Sequence, residues 1–253
     1  MSNKEVISIS YNNKDYKFYV PANKDSHINK NPPIYIDEFK QEANLISNFL
    51  QEGDYAIDIG ARDGDSTLPI RAVVGEKGKV IAFEPNPYEY PNLIENIKLN
   101  KFDNVDAHSF GISKQNGELE FVFEENFYNG GLKTQQAMIA NFPKSIKLLC
   151  KNWENLDASI KKDFEKVSFI KIDTEGSDID ILEEISEVIV RNKPFILMEW
   201  WPFTENRIIE FINKFGYIAF DKKTFSLVNY ISISNRVENL FLIHVSRINR
   251  NVL

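Results

Sequence analysis

Tyr55-Ala-Ile-Asp58-Ile-Gly60-Ala-Arg-Asp-Gly64 is where the chain changes character. An apolar run of strand length ends on Asp58, and a loop with glycines at 60 and 64 leads into a stretch that reads as a helix. Glycines in such a turn let the backbone reverse sharply and lie close to a ligand. From here on, short apolar runs at 55–59, 79–84, 105–110, 167–172 and 195–199 alternate with helical stretches. Strands separated by helices predict βαβ units and a parallel sheet. Three helices carry a clear inward face: Tyr90, Leu93, Ile94 and Ile97; Ile181 to Ile189, within a helix expected over 178–191; and Ile208, Phe211, Ile212 and Phe215 before Gly216.

On either side the pattern differs. Residues 5–20 predict a β-hairpin around Asn12-Asn13-Lys14-Asp15, residues 21–34, with three prolines, a loop, and residues 37–51 a helix ended by Gly53. Residues 217–220, 225–233 and 240–245 read as strands with short connections, which require antiparallel pairing, so the parallel sheet should close on an antiparallel edge. Between 124 and 155 the pattern is weak, and Asn129-Gly130-Gly131 suggests the tip of a lid-like insertion. The expected organisation is an N-terminal hairpin and linker over 1–37 and one α/β domain over 38–253.

The chain's 253 residues fit one large domain, and 43% hydrophobic and 13% aromatic content can fill its core. A net charge of -7 without any Lys/Arg-rich run argues against a nucleic-acid partner. The first residues, Met1-Ser-Asn-Lys-Glu, lack the apolar core of a signal peptide, and no uncharged apolar run approaches the ~18–20 residues of a membrane span. With Cys150 the single cysteine, no intrachain disulfide can form, and its neighbours Leu148 and Leu149 suggest a buried thiol. The expectation is a cytoplasmic protein without a membrane span.

The chemistry centres on carboxylates at strand ends. Glu84 ends the strand after Asp58, where a carboxylate can accept hydrogen bonds from ribose hydroxyls. Asp58, Asp63 and Asp65 would repel a pyrophosphate and favour a cationic, amino-bearing ligand, as S-adenosylmethionine is. Asp58, Gly60 and Gly64 are the expected surround of its methionine end, Glu84 of its ribose, and Ser109 to Gly111 of its adenine. A nicotinamide cofactor wants Gly-x-Gly-x-x-Gly, which this loop lacks. Asp173 and Glu175 follow the fourth strand of the sheet and Glu199 ends the fifth. Adjacent strand ends lie close together, so these three carboxylates can serve as a general base with partners or as a cage for a divalent metal. Glu175 and Asp178 also suit the positive start of the next helix. His108 and His244 are read as structural histidines, with His108 the reserve base. Trp200-Trp201-Pro202-Phe203 can floor an acceptor pocket or pack in the core.

Ala56-Ile-Asp-Ile-Gly-Ala61, Ile81-Ala-Phe-Glu-Pro-Asn-Pro87, Leu93-Ile-Glu-Asn-Ile-Lys-Leu-Asn100 and Ile170-Lys-Ile-Asp-Thr-Glu-Gly-Ser-Asp178 together resemble the FkbM-type methyltransferase family. The resemblance runs from about 38 to 200, and more loosely to about 245. Arg62, Asp63 and Asp178 depart from the family's usual residues. The resemblance implies a Rossmann-like methyltransferase fold with a mostly parallel seven-stranded sheet, its last strand antiparallel and helices on both faces. It implies S-adenosylmethionine-dependent O-methylation of a small hydroxyl-bearing molecule, a sugar or glycoconjugate. Two other functions stand beside it: a nicotinamide-dependent oxidoreductase, for which no convincing Tyr-x-x-x-Lys acid pair is found, and a non-catalytic S-adenosylmethionine-binding module, which has little use for convergent carboxylates.

Overall fold

The computed structural model describes residues 5–20, 32–123, 130–133, 144–228 and 239–248. The hairpin is present as β1 (Glu5–Tyr11) and β2 (Lys14–Val20), paired antiparallel about Asn12 and Asn13, both left-handed as a tight turn requires. Helix α1 (Pro32–Ile46) follows. It starts earlier than expected, because prolines are tolerated in a helix's first turn, where N–H groups have no intrahelical partner. It also stops earlier. Ser47 Oγ and Asn48 Nδ2 both donate to the Asn44 carbonyl, at 2.8 and 2.9 Å, and the chain turns there instead of at Gly53.

The main sheet has seven strands: β3 (Tyr55–Ile59), β4 (Lys79–Phe83), β5 (Val105–His108), β10 (Val167–Ile172), β11 (Phe195–Glu199), β12 (Tyr217–Asp221) and β13 (Asn239–His244). Their order is β5-β4-β3-β10-β11-β13-β12. The first five are parallel, and β13 runs antiparallel to both β11 and β12. This is the expected Rossmann-like architecture with its last strand reversed. Of the strand expected at 225–233, residues 225–228 contribute one bridge, Leu227 to Phe220, and 229–233 lie outside the described residues.

Alternation along the strands sorts the core. Ile57, Ile59, Ile170, Ile172, Ile196 and Met198 face α4 (Ala158–Phe164), α5 (Asp178–Glu184), α6 (Ser186–Asn192) and α7 (Glu205–Phe215). Ala56, Val80, Ala82, Phe169 and Leu197 face α1, α2 (Thr67–Val74) and α3 (Tyr90–Leu99). The single helix expected over 178–191 is two, broken at Ile185 (φ -94, ψ 23). Both halves bury the same apolar face, so side-chain periodicity alone does not reveal the break.

The weakly patterned region 124–155, with the stretch just before it, holds more order than its sequence suggests. Strands β6 (Gly111–Ile112), β7 (Gly117–Phe123), β8 (Gly130–Leu132) and β9 (Lys144–Lys151) form a second sheet, ordered β6-β9-β7-β8. Within β9, Leu148 and Cys150 point inward, while Lys147 and Leu149 are exposed. A short strand solvated on one face leaves only this faint alternation. Asn129 and the rest of 124–129 and 134–143 lie outside the described residues. Among the described residues, no helix is long and apolar enough to cross a membrane.

The hairpin is packed onto the domain. Ile9, Tyr11, Tyr16 and Phe18 share a buried cluster with Phe39, Ala43 and Leu68. Its second strand is bonded to α3: Asn100 accepts from Lys17 N at 2.7 Å and Asn96 from Tyr19 N at 2.6 Å.

Candidate active site

The chain runs outward from β3 to β4 and β5 and then returns to β10 on the other side of β3. The carboxyl ends of β3 and β10 therefore flank the crevice where such sheets bind ligands. A cavity of about 860 Å³ opens there.

Gly60 shapes its floor. Its φ is +83°, and a Cβ on it would lie 1.9 Å from the Asp173 carbonyl oxygen, so only glycine lets the β3 and β10 ends close together. Asp173 N donates to Ile59 O at 3.0 Å across the same junction. Gly64 (φ +99°) is needed for a different reason: a Cβ there would lie about 3 Å from Leu68 and Leu93, and Gly64 does not line the cavity.

Asp58 is also turned away. It is 1% exposed and accepts hydrogen bonds from Ser66 Oγ at 2.9 Å and Thr67 Oγ1 at 2.5 Å, tying the strand end to the start of α2. Burial pushes its carboxyl up to about 6, against the pull of Lys171 and the two hydroxyls. Asp58 thereby braces the loop that carries Gly60.

Glu84 does line the cavity. Its two oxygens accept from Arg62 N at 2.7 Å and Asn86 N at 2.8 Å, which fixes the carboxylate at the end of β4. Burial raises it to about 7 despite these bonds. Each oxygen keeps a lone pair for a further donor. Asp65, Asn86 and Glu89 stand beside it in the wall. Gly111 lines the cavity, next to the buried Cys150, whose thiol burial raises to about 11. Ser109 is exposed and is not part of the wall.

On the β10 side, Asp173 and Glu175 both line the cavity. Glu175 is left-handed (φ +55°), an uncommon conformation for a side-chain-bearing residue, and Gly176 follows at φ +103°. Asp178 holds this loop through Oδ2, which accepts from Thr174 Oγ1 at 3.0 Å and Gly176 N at 3.3 Å. Lys171 was not anticipated, although it stands within the quoted motif. Its side chain is 7% exposed, and Nζ pairs with Asp173 Oδ2 at 2.9 Å. Asp173, Asp58 and Glu42 together hold its ammonium well above the ordinary lysine range, overcoming burial.

Glu199 is not in the wall. Its carboxyl accepts from Trp201 Nε1 at 2.6 Å, and burial followed by the charges of Asp173, Glu175 and Asp178 pushes it up to about 9. The three carboxylates thus feel one another, but only two face the cavity. The metal cage of Asp173, Glu175 and Glu199 does not assemble in this arrangement. Among the described residues, no group of three or more His, Cys, Asp or Glu side chains has metal-holding geometry, and Lys171 already occupies Asp173. His108 stacks on Phe83 at 5.1 Å and does not line the cavity; His244 is paired with Ser246 at 2.7 Å. Trp200 is buried and Trp201 stacks on Phe203 at 5.7 Å, and neither tryptophan lines the cavity.

Leu132 and Cys150, from the segment read as a lid-like insertion, also line the cavity, and further parts of the wall come from elements to which no role was assigned. Helix α1 supplies Glu38, Gln41, Glu42 and Asn44, and the β12–β13 edge supplies Asp221, Lys222, Lys223 and Asn239. No sequence signal marks them, since a polar residue on an amphipathic helix reads as solvated.

Comparison with known proteins shows the family. A sequence profile described as "Methyltransferase FkbM domain" matches residues 58–219. The methyltransferase sdnD of Sordaria araneosa is 24% identical over 196 residues, 66% of this chain and 72% of that protein. Among solved structures, a methyltransferase FkbM from Methylobacillus flagellatus KT is 16% identical with a TM-score of 0.52 over 86% of this chain. The chain spans 52% of that longer protein. A putative rRNA-methylase from Clostridium thermocellum, 16% identical, gives a TM-score of 0.47 over 82% of this chain and 94% of its own.

Proposed function

The chain belongs to the FkbM methyltransferase family, and on that footing we propose that it transfers a methyl group from S-adenosylmethionine to a hydroxyl oxygen of a small polar acceptor, a sugar or glycoconjugate. One observation carries this reading: a single cavity is lined both by Gly60, Glu84 and Gly111 and by Asp173 and Glu175. The first set suits the cofactor, because Gly60 leaves the backbone bare and Glu84 offers a fixed carboxylate for ribose hydroxyls. Asp65, Glu84 and Glu89 give that end an acidic wall, which suits a ligand bearing an ammonium and a sulfonium. When bound, S-adenosylmethionine supplies a methyl group on a positively charged sulfur.

The chain's own residues do the rest. Asp173 takes the acceptor's hydroxyl proton as the oxygen attacks, and Lys171 fixes the orientation of its carboxylate through Oδ2. Glu175 stands beside it as a hydrogen-bond acceptor for the substrate. Asp173 is read as a base because Lys171 pairs with its Oδ2 and leaves Oδ1 for the acceptor's proton. The polar wall from α1 and the β12–β13 edge favours an acceptor carrying several hydroxyls.

The test is transfer of labelled methyl from S-adenosylmethionine to a panel of glycosides by the wild type and Asp173→Asn. The variant should lose roughly 10²–10⁴-fold in turnover while cofactor affinity by calorimetry stays within a few-fold. Turnover that persists in Asp173→Asn would remove Asp173 from the chemistry. Activity abolished by chelator and restored by Mg²⁺ would replace the base with a metal.

A further inference from the structure

We propose that Glu42 and Asn239 form the acceptor's binding subsite, gripping hydroxyl groups of a polyol other than the one that is methylated. This inference rests on the methyltransferase reading above and assigns the residues that select its substrate.

Both residues line the cavity. Each also holds a buried oxygen without a hydrogen-bond partner, Glu42 Oε1 and Asn239 Oδ1. Such atoms are few in native proteins, because leaving one desolvated and unbonded is costly, so each calls for a partner. Two such oxygens, on residues of one cavity wall, point to a ligand that brings donors to both.

The two residues are held together by Lys222. Its ammonium pairs with the other Glu42 oxygen, Oε2, at 2.6 Å, and its backbone N–H donates to Asn239 O at 3.2 Å. The pair holds Glu42 at the wall, and its side chain is only 14% exposed. It also lies within electrostatic reach of Lys171, the partner of Asp173, so the subsite adjoins the base. Asn239 begins β13 directly opposite Glu199 in the sheet register, again beside the carboxylate group.

The chemistry selects the ligand class. A carboxylate oxygen accepts only, whereas an amide side chain can accept or donate. A hydroxyl meets both requirements, and two hydroxyls on one rigid ring meet them together at small entropic cost. Glu42 and Asn239 both lie outside residues 58–219, the span matched by the family profile. Cofactor and base thus come from the shared core, and acceptor choice from the segments that flank it.

The experiment uses the full chain with saturating S-adenosylhomocysteine. Methyl α-glucoside, methyl α-mannoside and methyl α-galactoside are titrated by saturation-transfer NMR, with cyclohexylmethanol as a one-hydroxyl control. The wild type should bind at least one glycoside in preference to the control. Glu42→Gln, nearly isosteric, and Asn239→Ala should each weaken that binding about tenfold, the scale of one hydrogen bond to a desolvated acceptor. Their S-adenosylhomocysteine affinity, measured separately by calorimetry, should not change. Thermal unfolding identifies a variant that fails to fold, and the other variant then decides. Glycosides that bind no better than the control, or that bind a folded variant as tightly as the wild type, overturn the subsite. A wild type that does not bind S-adenosylhomocysteine overturns the methyltransferase reading instead, and the same titration without it still decides the subsite.

Discussion

Lys171 Nζ and Asp173 Oδ2 lie 2.9 Å apart at the end of β10, with the lysine almost fully enclosed. The ammonium also faces Asp58 from β3 and Glu42 from α1, so one cation serves carboxylates from three parts of the chain. Removing it leaves them uncompensated. Lys171→Met should lower stability in urea by about 2–4 kcal/mol, toward the lower side of fully buried pairs because the Asp173 side chain is 40% exposed. An unchanged urea midpoint would mean that the pair contributes orientation alone.

The contact between Gly60 and the Asp173 carbonyl makes a steric prediction. Gly60→Ala puts a methyl 1.9 Å from that oxygen at a φ of +83°. The strand ends must part, at a cost of at least about 2 kcal/mol. Gly53→Ala is the control, since Gly53 has a similar φ of +98° and nothing within 4 Å. Equal losses in the two variants would show that φ strain, and not the contact, sets the cost.

Glu84 should govern cofactor affinity and its pH dependence. Glu84→Ala should weaken S-adenosylhomocysteine binding by roughly 10–100-fold, the range for hydrogen bonds to a charged group. With the carboxyl raised to about 7, wild-type affinity should fall as pH drops below neutrality and the acceptor becomes protonated. Calorimetry from pH 8 to pH 6 should show this slope in the wild type and its absence in the variant.

Stability of the ligand-free protein should run the other way. Burial raises Glu84 to about 7, Asp63 to about 8 and Glu199 to about 9. Carboxyls in the unfolded chain titrate near pH 4, so the folded state binds more protons and loses stability as pH rises through these values. His108 and His244, both lowered by burial, act in the opposite sense, but only below about pH 6.5, where the unfolded imidazole charges. The unfolding temperature should therefore fall between pH 7 and pH 9. A flat or rising profile over that interval would contradict these environments.

The parallel sheet was legible because each buried strand is an apolar run bounded by a turn, and its reversed edge because the C-terminal apolar runs follow one another with no helical stretch between them. Glu84, Gly111, Asp173 and Glu175 were legible because the ends of parallel strands must meet at the crevice. Side-chain direction was not. Asp58 has the right position in the chain but points to the side of the sheet where Ser66 and Thr67 capture it, and Glu199 turns to Trp201. Strand β9 was missed because half of its side chains meet solvent. Glu42 and Asn239 gain meaning only from what they face, and no local pattern records that.

Asn96 donates to the Asp63 carbonyl in the glycine loop at 2.8 Å and accepts from Tyr19 in the hairpin at 2.6 Å. These partners lie on either side of it in space, but Tyr19 precedes it by 77 residues. During synthesis the hairpin is complete long before its anchor exists. At about 5–20 residues per second it waits roughly 4–15 seconds for α3 to be made. Over that interval β2 lacks its hydrogen bonds to Asn96 and Asn100, so the hairpin's anchoring to this helix is an event of late assembly, even though Phe39, Ala43 and Leu68, its apolar partners, are made earlier.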